Sequence, residues 1–248
     1  MWFRNLQLYR LIETFEYSPE SLHAALLARV FKPCAGLDSY SMGWAPPAGR
    51  ETSQLVHACN GRIMLCLRRE DRILPAAVIR EHVEEKAEAI TQAESRPLGR
   101  KEKQQLKEDV IVDLLPRAFT RSTHMFAYID PVERWVVVDS ATPKKAEELL
   151  SALRETLGSL RLKPLAVNNA PTSVLTRWLE DTLPAGFQLG DECELKEPVD
   201  QGGIMRGRRM DLASAEVKSH LDAGMQVSKL AVEWQERIGC ILCDDLGI

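Results

Sequence analysis

Glu194 and Lys196 stand one residue apart in the alternating segment Phe187–Lys196, with Asp191 just upstream. On a strand, positions 194 and 196 face the same side. That spacing suits a metal-dependent nuclease, in which carboxylates hold a divalent cation and a lysine orients a water. It equally suits the charged outer face of an amphipathic strand, because no partner aspartate on a separate strand can be picked out. Cys240 and Cys243 have the spacing of half a zinc site. They stand alone in an apolar run, and His57, Cys59 and Cys66 do not form a second ligand pair. The pair therefore reads as small buried residues, and no zinc site is expected. Asp244 and Asp245 read as a solvated strand end. The sequence has no Gly-Lys-Ser/Thr phosphate loop, no dinucleotide fingerprint and no nucleophile elbow. P-loop nucleotide hydrolysis and nucleophilic catalysis are thereby disfavoured.

Basic residues form the other chemical pattern. Arg68, Arg69 and Arg72 cluster near a predicted strand end. Arg206, Arg208 and Arg209 form a second group, followed by Lys218 and Lys229. A third lies in the stretch from Arg100 to Arg121, which opens with Arg100, Lys101, Lys103 and Lys107. That stretch turns apolar from Val110 to Leu115 and ends at Pro116, Arg117, Phe119 and Arg121. A basic start, a buried middle and a Phe between two arginines suggest a helical arm that grips an anion. Any one cluster could be a solvated face. Three in a chain of net charge −4 suggest charge segregated onto one surface. Such a surface binds phosphate by releasing counterions and reads little sequence.

The elements that must position these groups are predicted from period and punctuation. The 248 residues are 45% hydrophobic and 27% charged, enough for a substantial core. Phe3–Leu11 reads as a strand. Ser18 caps a helix from Pro19 to about Val30, stopped by Lys32-Pro33. Residues 36–52 read as loop, with Met42-Gly43-Trp44 an apolar knot packed on a sheet. Leu55–Cys59 and Arg62–Arg69 form a hairpin about the type I′ turn Asn60-Gly61. Pro75 opens a helix to about Ser95, and after Arg96-Pro97-Leu98-Gly99 a second helix completes a helical hairpin. His124–Asp130 and Arg134–Asp139 form another strand hairpin, the second strand central because Trp135–Val138 is apolar. A helix from Thr142-Pro143 to Leu157 is closed by Gly158. Lys163–Val167 is a short strand, Pro171–Leu179 a helix, and Phe187–Lys196 and Gly202–Arg209 are strands. A helix capped by Asp211 or Ser214 runs through Leu221 to a stop at Gly224. Gln226–Cys243 reads as one long strand or two with a bend. The fold class is α+β, with antiparallel or mixed sheets and a protruding helical hairpin. Residues 1–74 and 122–248 supply the sheets, and 75–121 the arm. The N-terminus lacks the apolar core of a signal peptide and no run is long enough to span a membrane. Six dispersed cysteines fit a reducing cytoplasm.

Beyond these patterns the sequence resembles one family. The residues that carry the resemblance run in order along nearly the whole chain. They are Trp2-Phe3 with Asn5 and Tyr9-Arg10, Phe31-Lys32-Pro33-Cys34, Met42-Gly43-Trp44, Asn60-Gly61-Arg62-Ile63 and Ile73-Leu74-Pro75 with Val78-Ile79. Leu114-Leu115-Pro116-Arg117-Ala118-Phe119 with Arg121 comes next, then Lys144-Lys145-Ala146-Glu147 and Leu157-Gly158-Ser159-Leu160. Gly202-Gly203, Asp211-Leu212, Lys229-Leu230-Ala231 and Trp234-Gln235 complete the set. The chain is thus similar to the RdgC family of recombination-associated DNA-binding proteins.

The resemblance implies a horseshoe-like subunit that forms a ring-shaped homodimer around double-stranded DNA, without strong sequence preference. It implies restraint of RecA-mediated recombination, a link to replication, a nucleoid-associated cytoplasmic location, no membrane, no enzymatic activity and no cofactor. Helical tips form one of two subunit interfaces in the family. Phe119 matches the family's apolar finger, so Leu115 and Phe119 are the expected dimer-interface residues. The basic positions Arg68, Arg69, Arg72, Arg100, Lys101, Arg117, Arg121, Arg206, Arg208, Arg209, Lys218 and Lys229 are the expected DNA-binding set. Family members continue past the Cys240–Cys243 region, whereas this sequence ends at Ile248. Arg208-Arg209-Met210 also departs from the lysines and Gln usual there. Two other readings stand beside the clamp: a metal-dependent nuclease using Asp191, Glu194 and Lys196, and an adaptor whose helical hairpin docks onto a protein.

Overall fold

A computed structural model describes residues 3–49, 51–181, 183–199 and 201–248. Trp2, part of the first family-like motif, lies outside the described residues. Contacts divide the chain into two units, Met1–Glu16 with Ala127–Ile248, and Tyr17–Phe126.

The first unit is built around two sheets. Strand β1 (Leu6–Leu11) lies between β6 (Trp135–Asp139) and β7 (Leu162–Pro164), pairing antiparallel with both. The unit also holds the C-terminal part of β5 (Phe119–Asp130), which pairs antiparallel with β6 from Ala127↔Val138 to Asp130↔Trp135. β6 is therefore central, and Val136, Val137 and Val138 are all buried, as their unbroken apolar run predicts. Helix α4 (Pro143–Leu157) runs between Thr142 and Gly158, whose φ of 78° makes it a natural stop. It buries Ala146, Leu149, Leu150 and Leu153 at helical spacing, and its Glu147 bonds the Tyr9 hydroxyl on β1.

The second sheet of this unit has the order β11-β10-β8-β9: β8 (Phe187–Lys196), β9 (Ile204–Arg208), β10 (Gln226–Trp234) and β11 (Ile238–Cys243). The stretch predicted as one strand or two is a hairpin, β10 and β11. Helices α5 (Pro171–Glu180) and α6 (Ala215–Asp222) supply Leu175, Leu179 and Val217 to a core shared with Cys193, Leu195, Val227, Leu230 and Val232. Successive strand residues point to opposite faces. With Cys193 and Leu195 turned to the helices, Glu192, Glu194 and Lys196 turn to the other face.

In the second unit, β3 (Val56–Cys59) and β4 (Arg62–Ile73) form the expected hairpin. Asn60 and Gly61 have φ of 49° and 75°, the positive pair that a type I′ turn requires. Helix α1 (Pro19–Leu27) is capped as predicted, the Ser21 N–H donating to Ser18 Oγ at 3.2 Å. It ends three residues before Val30. Arg29 O accepts from the Trp44 N–H, and the Phe31 N–H donates to Trp44 O, so this backbone is drawn to a strand. That strand is β2 (Tyr40–Ala45), paired antiparallel with β4, where the sequence suggests loop. Trp44 is only 1% exposed and belongs to the sheet itself.

Helices α2 (Ala76–Glu94) and α3 (Arg100–Leu114) pack as a hairpin joined by residues 95–99, with Ser95 left-handed at φ 53°. Leu106 and Val110 are the buried residues of α3, while α2 buries none. A 3₁₀ turn at Leu115–Arg117 leads into β5, which begins at Phe119 rather than at the expected His124. Every strand pairing described is antiparallel, and a lone parallel bridge joins Val30 to Trp44. The architecture is α+β with six α-helices among the described residues.

Candidate nucleic-acid interface

The face of the β8–β9–β10 sheet turned away from α5 and α6 gathers charge from three strands. The register places Glu194 opposite Arg206 on one side and Lys229 on the other, and pairs Glu192 with Arg208. Arg206 Nε donates to Glu194 Oε2 at 2.7 Å. Lys196 Nζ lies 3.6 Å from Glu194 Oε1, and Lys229 Nζ 3.8 Å from Oε2. The Ser228 hydroxyl donates to Oε1 at 2.8 Å. The Glu194 side chain is only 7% exposed, whereas Arg206 is 63% exposed, Lys196 41% and Lys229 47%. One buried carboxylate thus lies under three outward cations. Burial alone would raise the Glu194 carboxyl, but Arg206, Ser228, Lys229 and Lys196 outweigh it and hold it below the usual range. Arg208 is further out, 3.6 Å from Glu192 and 76% exposed. Arg209 sits in the turn after β9 at φ 53°, and Lys218 is exposed on α6. The cationic group borders a concavity of about 790 Å³ that Arg4, Asn5 and Asp244 also line.

The nuclease-like residues take a different form. Glu194 and Lys196 share a face as predicted, yet Glu194 is saturated by cations and a hydroxyl. Among the described residues no three His, Cys, Asp or Glu converge as metal ligands. Asp244 lies 3.5 Å from Lys196 and reinforces the ionic group. Cys240 and Cys243 are half-buried free thiols, raised above the ordinary thiol range chiefly by burial. Sequence reasoning missed Glu194 as the organiser and missed Ser228 altogether. The signal for both is cross-strand register, which strand spacing alone does not carry.

In the second unit the expected arginines are held by their own fold. Arg68 stacks on Phe31 at 4.1 Å and bonds Ser122 and Glu70. Arg69 stacks on Tyr40 at 4.4 Å and is paired with Asp71. Arg72 donates to Leu115 O at 2.6 Å and to Gly36 O at 3.3 Å. Buried Glu70 accepts from the Cys34 N–H and is bonded by Ser122 and Arg68; these outweigh burial and keep its carboxyl low. Arg100 and Lys101 are exposed at the first turn of α3, beside the ionic group of Arg96 with Glu94 and Glu102. Arg117, Phe119 and Arg121 lie past the other end of that helix, roughly 22 Å away for its length. The stretch that reads as one arm therefore carries two separate features. Phe119 is 86% exposed, the highest of the exposed large hydrophobic residues among those described. Leu115, four residues earlier, is half-buried.

Fold and surface together define an α+β protein with an antiparallel sheet that presents cations over a buried acid. A family model described as "Putative exonuclease, RdgC" matches residues 1–248. The chain is 43% identical over 249 residues to the recombination-associated protein RdgC of Tolumonas auensis and to that of Aeromonas hydrophila, covering 100% of this chain and 82% of each relative. The RdgC protein of Salmonella typhimurium is 42% identical over the same span. The chain belongs to the RdgC family of recombination-associated proteins. No helix among the described residues is long and apolar enough to cross a membrane.

Proposed function

We propose that this chain is a sequence-independent double-stranded DNA clamp. Two copies close into a ring around the duplex, and occupancy of the DNA restrains RecA-mediated strand exchange in the nucleoid, with no catalytic step and no cofactor. The observation that carries the reading is the group of outward cations on the β8–β9–β10 face, Arg206, Lys196 and Lys229, with Arg208 beside them. They present positive charge without the base-reading geometry of a recognition helix. In the second unit, Arg100, Lys101, Arg117 and Arg121 add exposed positive positions, and Lys218 and Arg209 do so in the first. Arg68, Arg69 and Arg72 are more tightly engaged by their own fold and contribute less. Exposed Phe119, with Leu115, supports closure of one subunit onto another, residues 75–121 serving as the arm.

Binding to unrelated duplexes should be nearly equal and should weaken steeply with salt, log K falling by about 0.9 per phosphate contact for each decade of salt. Equal affinity at low and high salt would sink the clamp. Replacing Arg208 and Arg209 by Glu should cost DNA affinity, whereas a protein–protein adaptor would keep its function. The word exonuclease in the family model's description gives the nuclease reading a specific basis, with Asp191, Glu194 and Lys196 as its residues. A carboxylate already held by three cations is a poor divalent-metal ligand. Linear and circular duplexes incubated with Mg²⁺ should stay intact, and shortening of the linear one would favour the nuclease.

A further inference from the structure

Within the cationic face one side chain stands apart by its sign. Replacing an acid beneath a DNA-binding surface would ordinarily strengthen binding, since it removes repulsion of phosphate. Glu194 is nevertheless held by more partners than neutralisation requires. It bonds Arg206 from β9 and Ser228 from β10, and lies within 4 Å of Lys196 and Lys229.

The backbone is shaped to make this possible. The β8–β10 register passes from Val227↔Leu195 to Lys229↔Glu194, leaving Ser228 as the extra residue of a bulge. Ser228 is 1% exposed, and its hydroxyl meets both the Glu194 carboxylate and the Glu194 carbonyl oxygen. In an unbroken strand, residues 228 and 229 would point to opposite faces. The bulge lets both reach the same carboxylate.

Charge counting gives the seat its ligand. Of the charged residues that line the concavity, Arg4, Lys196, Arg206 and Lys229 carry four positive charges, and Glu194, Asp244 and Asp245 carry three negative ones. One positive charge remains, matched to the single negative charge of a phosphodiester. Arg206 engages Glu194 through Nε, so the rest of its planar fork is available to an anion.

We infer that Glu194 is a positioning residue: from beneath, it sets Arg206, Lys196 and Lys229 into a seat for one phosphodiester group of a nucleic-acid backbone. This rests on the DNA-binding reading and adds to it an acid that promotes binding to a polyanion.

The test is the sign of the effect of Glu194→Gln, measured by fluorescence anisotropy of the full chain on a labelled duplex across a salt series. Affinity falls about tenfold or more, the lower end of the scale of one charge-assisted hydrogen bond. The slope of log K against log salt becomes shallower by about one phosphate contact. In an Arg206→Ala background, Glu194→Gln loses most of its effect, because the two act through one contact. Unchanged or tighter binding by Glu194→Gln, or full additivity with Arg206→Ala, overturns the seat. Should Glu194→Gln fail to fold, Ser228→Ala decides, with a two- to threefold loss of roughly the size of one neutral hydrogen bond expected and wild-type affinity overturning it. Failure of the wild-type chain to bind duplex would overturn the DNA-binding reading and the seat together. Wild-type binding with a tighter Glu194→Gln overturns the seat alone.

Discussion

At the scale of single residues, this molecule uses acids to hold cations in place. Glu194 does so in one unit and Glu70 in the other, each buried and each bonded by an arginine and a serine. The arginines differ in what is left over: Arg206 keeps an exposed fork, whereas Arg68 lies against Phe31. Both carboxyls are held below the ordinary range, Glu194 by its cations and Ser228 against burial, and Glu70 first by the Cys34 N–H. A group whose folded pKa is depressed adds stability above its unfolded pKa, and that stability is lost as pH falls through the folded value. The thermal unfolding midpoint should therefore change little between neutral pH and about pH 5 and should fall below about pH 4, given an unfolded Glu near 4.3. Glu194→Gln should make that acid slope shallower. A slope equal to the wild type would mean that Glu194 contributes nothing to acid sensitivity.

Close approach of backbones decides the elements. β2 lies against the chain after α1, and Gly43 is what permits it. A Cβ at Gly43 would fall 2.6 Å from Phe31 Cα and 2.9 Å from Arg29 O. The obstacle is backbone, which cannot swing aside as a side chain could. Gly43→Ala should therefore destabilise the chain by about 1–3 kcal/mol, the usual cost of overpacking. A calorimetric midpoint equal to the wild type would disprove this contact. The same contact explains why residues 40–45 look like loop in sequence and are strand in the structure. Gly36, Gly43, Pro46, Pro47 and Gly49 punctuate the segment, and the strand-forming hydrogen bonds come from distant partners on β4. By contrast, α4 was readable to its ends. Thr142, Pro143 and Gly158 are local signals, and the apolar stripe between them keeps helical period.

For the whole molecule, the proposed ring hinges on Phe119. A phenylalanine 86% exposed contributes little to the stability of its own subunit. Phe119→Ala should leave the unfolding midpoint near the wild-type value. It should shift the mass measured by light scattering from dimer toward monomer, or loosen retention on circular duplex at high salt. Persistence of both dimer and retention would remove Phe119 from ring closure. The separation of Phe119 from Arg100 and Lys101 by the length of α3 lets closure and phosphate contact be tested independently. Substitutions at Arg100 and Lys101 should alter salt dependence without altering mass.

By itself the sequence determined the α+β class, the β3–β4 and β5–β6 hairpins, the helical hairpin, the cap at Ser18 and the family. These rest on short-range physics: residue period, positive-φ turn residues and helix stops, together with motifs spread along the chain. It also placed Glu194 and Lys196 on one face, because alternation is local. What surrounds Glu194 only the tertiary structure decided. Arg206 arrives from β9, and Lys229 and Ser228 arrive from β10 through a bulge, so the environment of that carboxylate depends on the register between three separate strands. The same residues read as a metal site or as the charged outer face of a strand until that register is known. Their charges are fixed by residue type, but their neighbours are fixed by pairing.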